Sequence, residues 1–274
     1  MGAMDTTLVK GLTVLEVLAH SGAPRGVSEL ARELDLPKSN VHRTLQTLIA
    51  AGYVRPAARP GAYECTLKLF ELASAIMSRV DVRHRAEPHM AALADATRET
   101  VHLSALDRAQ DAPEVIYLHK IESPEPVRAY SVIGGRAPAH CVASGKALLA
   151  YQEERYLTAL PDPLPGFTPH SVTARDALIE ELAEVRRRGY AVNRGEWRES
   201  VCGLAAVILD AGRRPAAAIG ISGPVDRLKP ATLRRHRADV VDAARRISAE
   251  LGCTDYPPGG ALAGAESKRG GPST

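Results

Sequence analysis

Apolar residues recur at three- and four-residue intervals through residues 6–20, where Leu8, Leu12, Leu15 and Leu18, with Val14 and Val17, make one broad stripe. That period predicts a helix, and Ser21-Gly22-Ala23-Pro24 ends it. Val27, Leu30, Ala31 and Leu34 predict a second, shorter helix, stopped by Asp35-Leu36-Pro37. A third begins between Pro37 and Ser39, because proline lacks an N–H that a first turn leaves unpaired anyway. Its apolar side is Val41, Leu45, Leu48 and Ile49, and Gly52 closes it. The other side carries Lys38, Ser39, Asn40, His42, Arg43, Gln46 and Thr47. Tyr53-Val54-Arg55, a turn-rich Pro56 to Gly61 and Ala62-Tyr63-Glu64-Cys65 then predict a hairpin. Residues 66–80 return to helical period through Leu69, Phe70, Leu72, Ala73, Ile76, Met77 and Val80. This apolar surface is wider than one neighbour needs. It fits pairing with a second subunit or burial under the next domain, and the pattern leaves both open.

From Arg85 onward helices and strands mix. Helices are predicted over 86–98, 143–151, 153–160, from Thr173 to Arg188, and over Pro230 to Leu251. Thr173 with Asp176 resembles a capping box, and Gly189 closes that helix. Strands are predicted over Val101–Leu106, Glu114–Ile121, Val127–Ile133, Tyr190–Asn193, Leu204–Leu209 and Ala216–Ser222. This order predicts an antiparallel sheet flanked by helices, an α+β arrangement suited to sensing. The boundaries expected are a first domain over 4–66, a linker helix over 67–82, a second domain over 83–253, and a tail over 254–274 whose Gly/Ala/Ser-rich stretch predicts disorder.

Composition changes this picture little. A chain of 274 residues is long enough for two domains, and 45% hydrophobic with 24% charged residues is ordinary for a globular protein. The net charge of +3 is weak support for a nucleic-acid partner, so placement must carry that argument. Residues 36–63 hold four basic side chains, Lys38, Arg43, Arg55 and Arg59, and no acid. The four cysteines, Cys65, Cys141, Cys202 and Cys253, form no C-x-x-C pair, so no zinc ribbon or thioredoxin motif is expected. Apolar runs fall short of the roughly 20 residues that a membrane span needs. The start shows no basic-then-apolar leader, and a cytoplasmic protein with reduced thiols and no membrane partner is expected.

Two short helices, a tight turn and a following hairpin make the layout of a winged helix-turn-helix. A recognition helix packs one face on its partner and presents donors and acceptors to base edges from the other. Ser39, Asn40, His42, Arg43, Gln46 and Thr47 are the candidates for base or anchoring contacts. Lys38, Thr44, Arg55 and Arg59 are the candidates for phosphates. The expected partner is a pseudo-palindromic duplex operator bound by two subunits.

Other chemistries fit less well. Ser144-Gly145-Lys146-Ala147 lacks the glycine five residues earlier and the Ser or Thr after lysine that a phosphate loop needs, since His140 and Ala147 stand there. His140-Cys141 has no evident third partner for catalysis, so a pocket-lining thiol is the better reading, and no cofactor or metal is expected. A redox pair of Cys141 and Cys202 is the alternative. His84 and His89 read as solvated, and Arg186-Arg187-Arg188 as a charged helix end.

With these residues in view, the chain resembles the IclR family of transcriptional regulators over residues 6–252. The resemblance lies in Leu36-Pro-Lys-Ser-Asn-Val-His-Arg-Thr-Leu45 and Leu48 to Val54. It continues in Gly135-Arg-Ala-Pro-Ala-His-Cys-Val-Ala-Ser-Gly-Lys-Ala-Leu-Leu-Ala150, Val185-Arg-Arg-Arg-Gly-Tyr-Ala-Val192, Gly203-Leu-Ala-Ala-Val-Ile and Ala218-Ile-Gly-Ile-Ser-Gly-Pro224. It implies an N-terminal winged helix-turn-helix, a linker helix and a C-terminal GAF-like α/β effector domain, assembled as dimers or tetramers. It also implies a small organic effector that changes operator affinity. By position, its pocket falls on Ala139, His140, Cys141, Val142 and Ala143, and on Asn193, Glu196, Cys202, Gly203, Gly220 and Ser222. The helix start at Ala143-Ser144-Gly145 suits an anion, so a carboxylate or phenolate is expected. Some family members that sense small carboxylates have an acid, a cysteine and a serine where this chain has Asn193, Gly203 and Gly220. That difference points away from a glyoxylate- or pyruvate-like ligand, and Trp197 with Arg198 points toward a larger aromatic acid.

Overall fold

A computed structural model of the protein describes residues 6–77, 82–108, 112–129 and 131–257. The chain separates into two compact units, Met1–Val80 and Asp81–Thr274.

In the first unit, α1 (Thr6–His20), α2 (Val27–Glu33) and α3 (Lys38–Ala50) pack around Val14, Leu18, Leu30, Ala31, Val41 and Leu45. Leu30 and Leu45 are wholly buried; each contributes about 1.5–3 kcal/mol relative to exposure. The turn between α2 and α3 is a Schellman motif. Asp35 takes the left-handed conformation at φ 50°, and Leu36 N–H reaches back to Ala31 O at 3.0 Å. α3 ends in the same way, with Gly52 at φ 79°, Gly52 N–H on Ile49 O and Tyr53 N–H on Leu48 O, both at 2.9 Å. Lys68 Nζ adds a bond of 2.7 Å to Ala51 O, a cation where the helix dipole is negative. Three short strands, β1 (Arg25–Gly26), β2 (Val54–Pro56) and β3 (Ala62–Cys65), form an antiparallel sheet in the order β1-β3-β2. The hairpin of β2 and β3 is the wing. The unit closes with α4 (Lys68–Met77).

Leu8 and Leu12 are exposed, and the buried side of α1 is Val14 and Leu18. On α4, Phe70 and Leu72 are exposed, so within this unit the helix is not buried on that side. The side chains of Ile76 and Met77, and Val80 as a whole, lie outside the described residues.

The second unit is a six-stranded antiparallel sheet in the order β6-β5-β4-β9-β8-β7. The strands are β4 (Thr100–Asp107), β5 (Glu114–Ile121), β6 (Arg136–Pro138), β7 (Ala191–Arg194), β8 (Val201–Leu209) and β9 (Pro215–Pro224). Side chains alternate between faces, which fits β8 well. Ala205, Val207 and Leu209 join a core with α6 (Ala143–Leu149) and α8 (Arg175–Arg188), whereas Leu204, Ala206 and Ile208 point the other way. That other face is covered by α5 (Val82–Thr97) and α9 (Pro230–Glu250), which pack on each other. The short α7 (Glu154–Thr158) completes the unit. A partly buried clamp braces one end of β9: Arg227 meets the buried Glu99 in two bonds of 2.5 and 2.6 Å.

Val127–Ile133 is not a strand. Pro124 and Pro126 withhold ladder N–H groups just before it, Val127, Val132 and Ile133 are exposed, and β5 pairs instead with β6. Thr173 and Asp176 do not form a capping box: Ala174 holds the N-cap of α8, without a side-chain cap. His89 is not solvated; its Nε2 lies 2.7 Å from Glu250 Oε1. The expected disordered stretch Gly259–Thr274 lies outside the described residues.

Candidate functional site

The third helix presents the polar face that its pattern predicts. Lys38, Ser39, His42, Arg43, Gln46 and Thr47 are exposed, while Asn40 and Thr44 are half-buried. Burial of Val41 and Leu45 against α1 and α2 fixes which face looks outward. Arg43 Nη2 donates to Asn40 Oδ1 at 3.2 Å, one turn away. The acid-free stretch is less isolated than its sequence implies. Arg55 on the wing pairs with Glu64 directly across the strands at 2.8 Å, and Arg59 reaches Glu29 at 3.3 Å and Pro24 O at 3.1 Å. Glu29 also accepts Gly26 N–H, and that bond, ahead of the nearby arginines, lowers its pKa. These pairs are solvent-exposed and of the kind worth about 0–1 kcal/mol, so a phosphate competes with them readily.

The second site follows from strand register. His102 pairs with Gly220, which pairs with Ala205; two residues along, Thr100 pairs with Ser222, Ser222 with Gly203, and Gly203 with Asn193. Residues two apart share a face, so these rows form one floor under the start of α6. A cavity of about 60 Å³ opens there, lined among others by His102, Tyr117, Ser131, Val142, Ala143, Ser144, Asn193, Trp197, Arg198, Gly203, Gly220 and Ser222. That exceeds the roughly 10–15 Å³ that one water needs. The glycines are required: a Cβ on Gly220 would stand 2.5 Å from Leu204 O, and one on Gly203 would stand 2.7 Å from Asn193 Oδ1.

The polar groups of the cavity differ from one end to the other. At its buried end His102 Nε2 lies 2.7 Å from Ser131 Oγ and Nδ1 lies 3.2 Å from Ser222 Oγ. Burial, helped by the Lys120 ammonium, pushes His102 down to about 4, so its ring is neutral at pH 7. Tyr117 tilts against that ring at 4.8 Å, and burial raises its phenol to about 12. At the exposed end the Arg198 guanidinium lies over the Trp197 ring at 4.5 Å and makes no ion pair among the described residues.

Of the residues matched by resemblance, Val142, Ala143, Asn193, Gly203, Gly220 and Ser222 line this cavity. Ala139, His140, Cys141, Glu196 and Cys202 do not. Ala139–Cys141 form a buried 3-10 turn, and His140 Nε2 donates to Pro165 O at 2.8 Å. Cys202 alternates to the face opposite Gly203. Burial pushes the Cys141 thiol up to about 11 and raises Cys202 as well. Glu196 is spent on Lys146, which is wholly buried between Glu196 and Glu181, at 2.9 Å from the latter. Burial raises the Glu196 pKa against the pull of that lysine. His102, Tyr117 and Ser131 were missed, because nothing in a strand pattern marks which of its inward residues borders a void.

Comparison with known proteins identifies the family of both units. Residues 7–57 match the profile described as the IclR helix-turn-helix domain, and residues 74–249 match that of the bacterial transcriptional regulator IclR C-terminal domain. The HTH-type transcriptional regulator KdgR of Escherichia coli (strain K12) is 35% identical over 250 residues, covering 90% of this chain and 94% of that one. The crystal structure of Thermotoga maritima IclR superposes with a TM-score of 0.73 at 28% identity, covering 91% of this chain and 100% of that one. An IclR homolog from Microbacterium hydrocarbonoxydans, crystallised with 4-hydroxybenzoate, gives 0.75 at 27% identity over 90% of this chain and 99% of that one. With both IclR profiles matched in order and a relative 35% identical over 90% of this chain, the chain belongs to the IclR family of DNA-binding transcriptional regulators.

Proposed function

We propose that the protein is a non-enzymatic regulator that binds a pseudo-palindromic operator as a dimer or tetramer and releases or tightens it when a small organic acid enters the cavity of the second unit. The observation that carries the ligand half is Arg198: an exposed guanidinium, stacked on Trp197 at the cavity and without a carboxylate partner among the described residues, is a ready donor to a carboxylate. The relative crystallised with 4-hydroxybenzoate supports an aromatic acid. The DNA half rests on the outward face of α3, with Ser39, His42, Arg43 and Gln46 for bases and Lys38, Thr44, Arg55 and Arg59 for phosphates. The exposed apolar residues Leu8, Leu12, Phe70 and Leu72 support pairing with a second copy. A cysteine-based redox sensor is disfavoured, because buried thiols with raised pKa values supply little thiolate.

A mobility-shift assay with the DNA upstream of the protein's own gene tests this reading. Salt-sensitive binding that changes on adding benzoate or 4-hydroxybenzoate is expected. No salt-sensitive DNA affinity at all would end the regulator reading for this site.

A further inference from the structure

We propose that the cavity selects acids of single negative charge that carry an uncharged hydroxyl or carbonyl away from the carboxylate, and that His102 with Ser131 and Ser222 imposes this choice. The inference rests on the acid-sensing reading above and specifies which acids.

The two ends of the cavity offer different chemistry. Arg198 at the exposed end is a fixed charge with a planar fork of donors, suited to one carboxylate. At the buried end the cation near His102 is Lys120, an ammonium and not a planar fork. His102 is only 6% exposed, and both of its ring nitrogens are engaged by serine hydroxyls. A neutral imidazole has one donor and one acceptor, so one serine donates to it and the other accepts from it. Each hydroxyl keeps bonding capacity for a further neutral partner. The nearby Lys120 ammonium is already held by Ser131 O at 2.6 Å and by Glu122 at 2.7 Å. A second carboxylate at this end would lose its hydration and meet an ammonium already shared with Glu122 and Ser131 O, which costs more than burying a bonded hydroxyl. Burial also keeps the His102 ring from taking up a proton near neutral pH, so the histidine does not add a second cation.

Isothermal titration of the full chain at pH 7 tests the choice with acids matched in skeleton. The probes are benzoate, 4-hydroxybenzoate and benzene-1,4-dicarboxylate, with 5-hydroxypentanoate and pentanedioate as an aliphatic pair. The hydroxy acid is expected to bind at least tenfold more tightly than the diacid of the same skeleton. His102→Phe keeps a ring against Tyr117, and it is expected to abolish the advantage of 4-hydroxybenzoate over benzoate. Ser222→Ala is expected to reduce that advantage and serves if the first variant does not fold. Arg198→Ala is expected to weaken both monoacids alike. A diacid that binds as well as its hydroxy counterpart overturns the inference and leaves the acid-sensing reading standing, as does an advantage that survives both His102→Phe and Ser222→Ala. If no acid binds and none alters operator affinity, the acid-sensing reading falls and the inference with it.

Discussion

Lys146 Nζ, without any contact with solvent, lies 2.9 Å from Oε1 of Glu181, and its other side faces Glu196. One ammonium thus holds two carboxylates, one from α8 and one from the turn that carries Trp197 and Arg198. The arrangement ties the turn that walls the cavity to α8. Removing the cation leaves buried charge uncompensated, so Lys146→Met is expected to destabilise the protein by about 3–5 kcal/mol. Urea denaturation followed by circular dichroism measures it. Adding Glu196→Gln to that variant should recover part of the loss; strictly additive losses would show that the two residues do not interact.

Gly220→Ala is expected to destabilise by about 1–3 kcal/mol, because the new methyl meets strand backbone that cannot turn aside. Its Cβ would lie 2.5 Å from Leu204 O and 2.6 Å from Ala205 Cβ. Thermal unfolding at neutral pH checks the direction; an unchanged midpoint would mean that the strands part locally.

On the DNA side, Arg43→Ala is expected to cost about 1–3 kcal/mol of operator binding if the arginine grips guanine with both donors. Arg55→Ala and Arg59→Ala should weaken all sequences evenly and lower the salt slope by about 1 each. Titrations at several salt concentrations separate the two behaviours. Retention of full affinity by the Arg43 variant removes that residue from base reading.

Acid should weaken the fold through His102. Its folded pKa of about 4 lies below the ordinary imidazole value of 6.5, so the unfolded chain takes up the proton first as pH falls. The stability lost on descending from pH 6.5 to 4 amounts to about 3 kcal/mol. Denaturant titrations at pH 7 and pH 5 should show a larger drop for the wild type than for His102→Phe. Equal drops would assign the acid sensitivity to other groups, such as His119 and His140, which burial also lowers.

Local patterns made the first unit legible. Helical spacing, a proline at a helix start and Gly52 at a helix end each act over a few residues, and the structure uses all three as such. The same is true of Glu114–Ile121, whose bounds match the strand. The cavity was only half legible. Gly203, Gly220, Ser222 and Asn193 were reached through their likeness to a family and line the cavity; Glu196 and His140 were reached in the same way, but they contact Lys146 and Pro165 instead. Val127–Ile133 shows the reverse failure: β-branched residues predict a strand, and two preceding prolines withhold the N–H groups a ladder needs.

The amino-acid order alone therefore determined the helix-turn-helix with its outward polar face and the two-domain plan, because these depend on short-range spacing and on which residue types tolerate each backbone conformation. Only the folded sheet decided that His102, Ser131 and Ser222 meet around one void, and that Lys146 stands buried between two carboxylates. Those groups come from segments 29 to 120 residues apart, and no periodicity along a chain encodes which distant strands will lie in register.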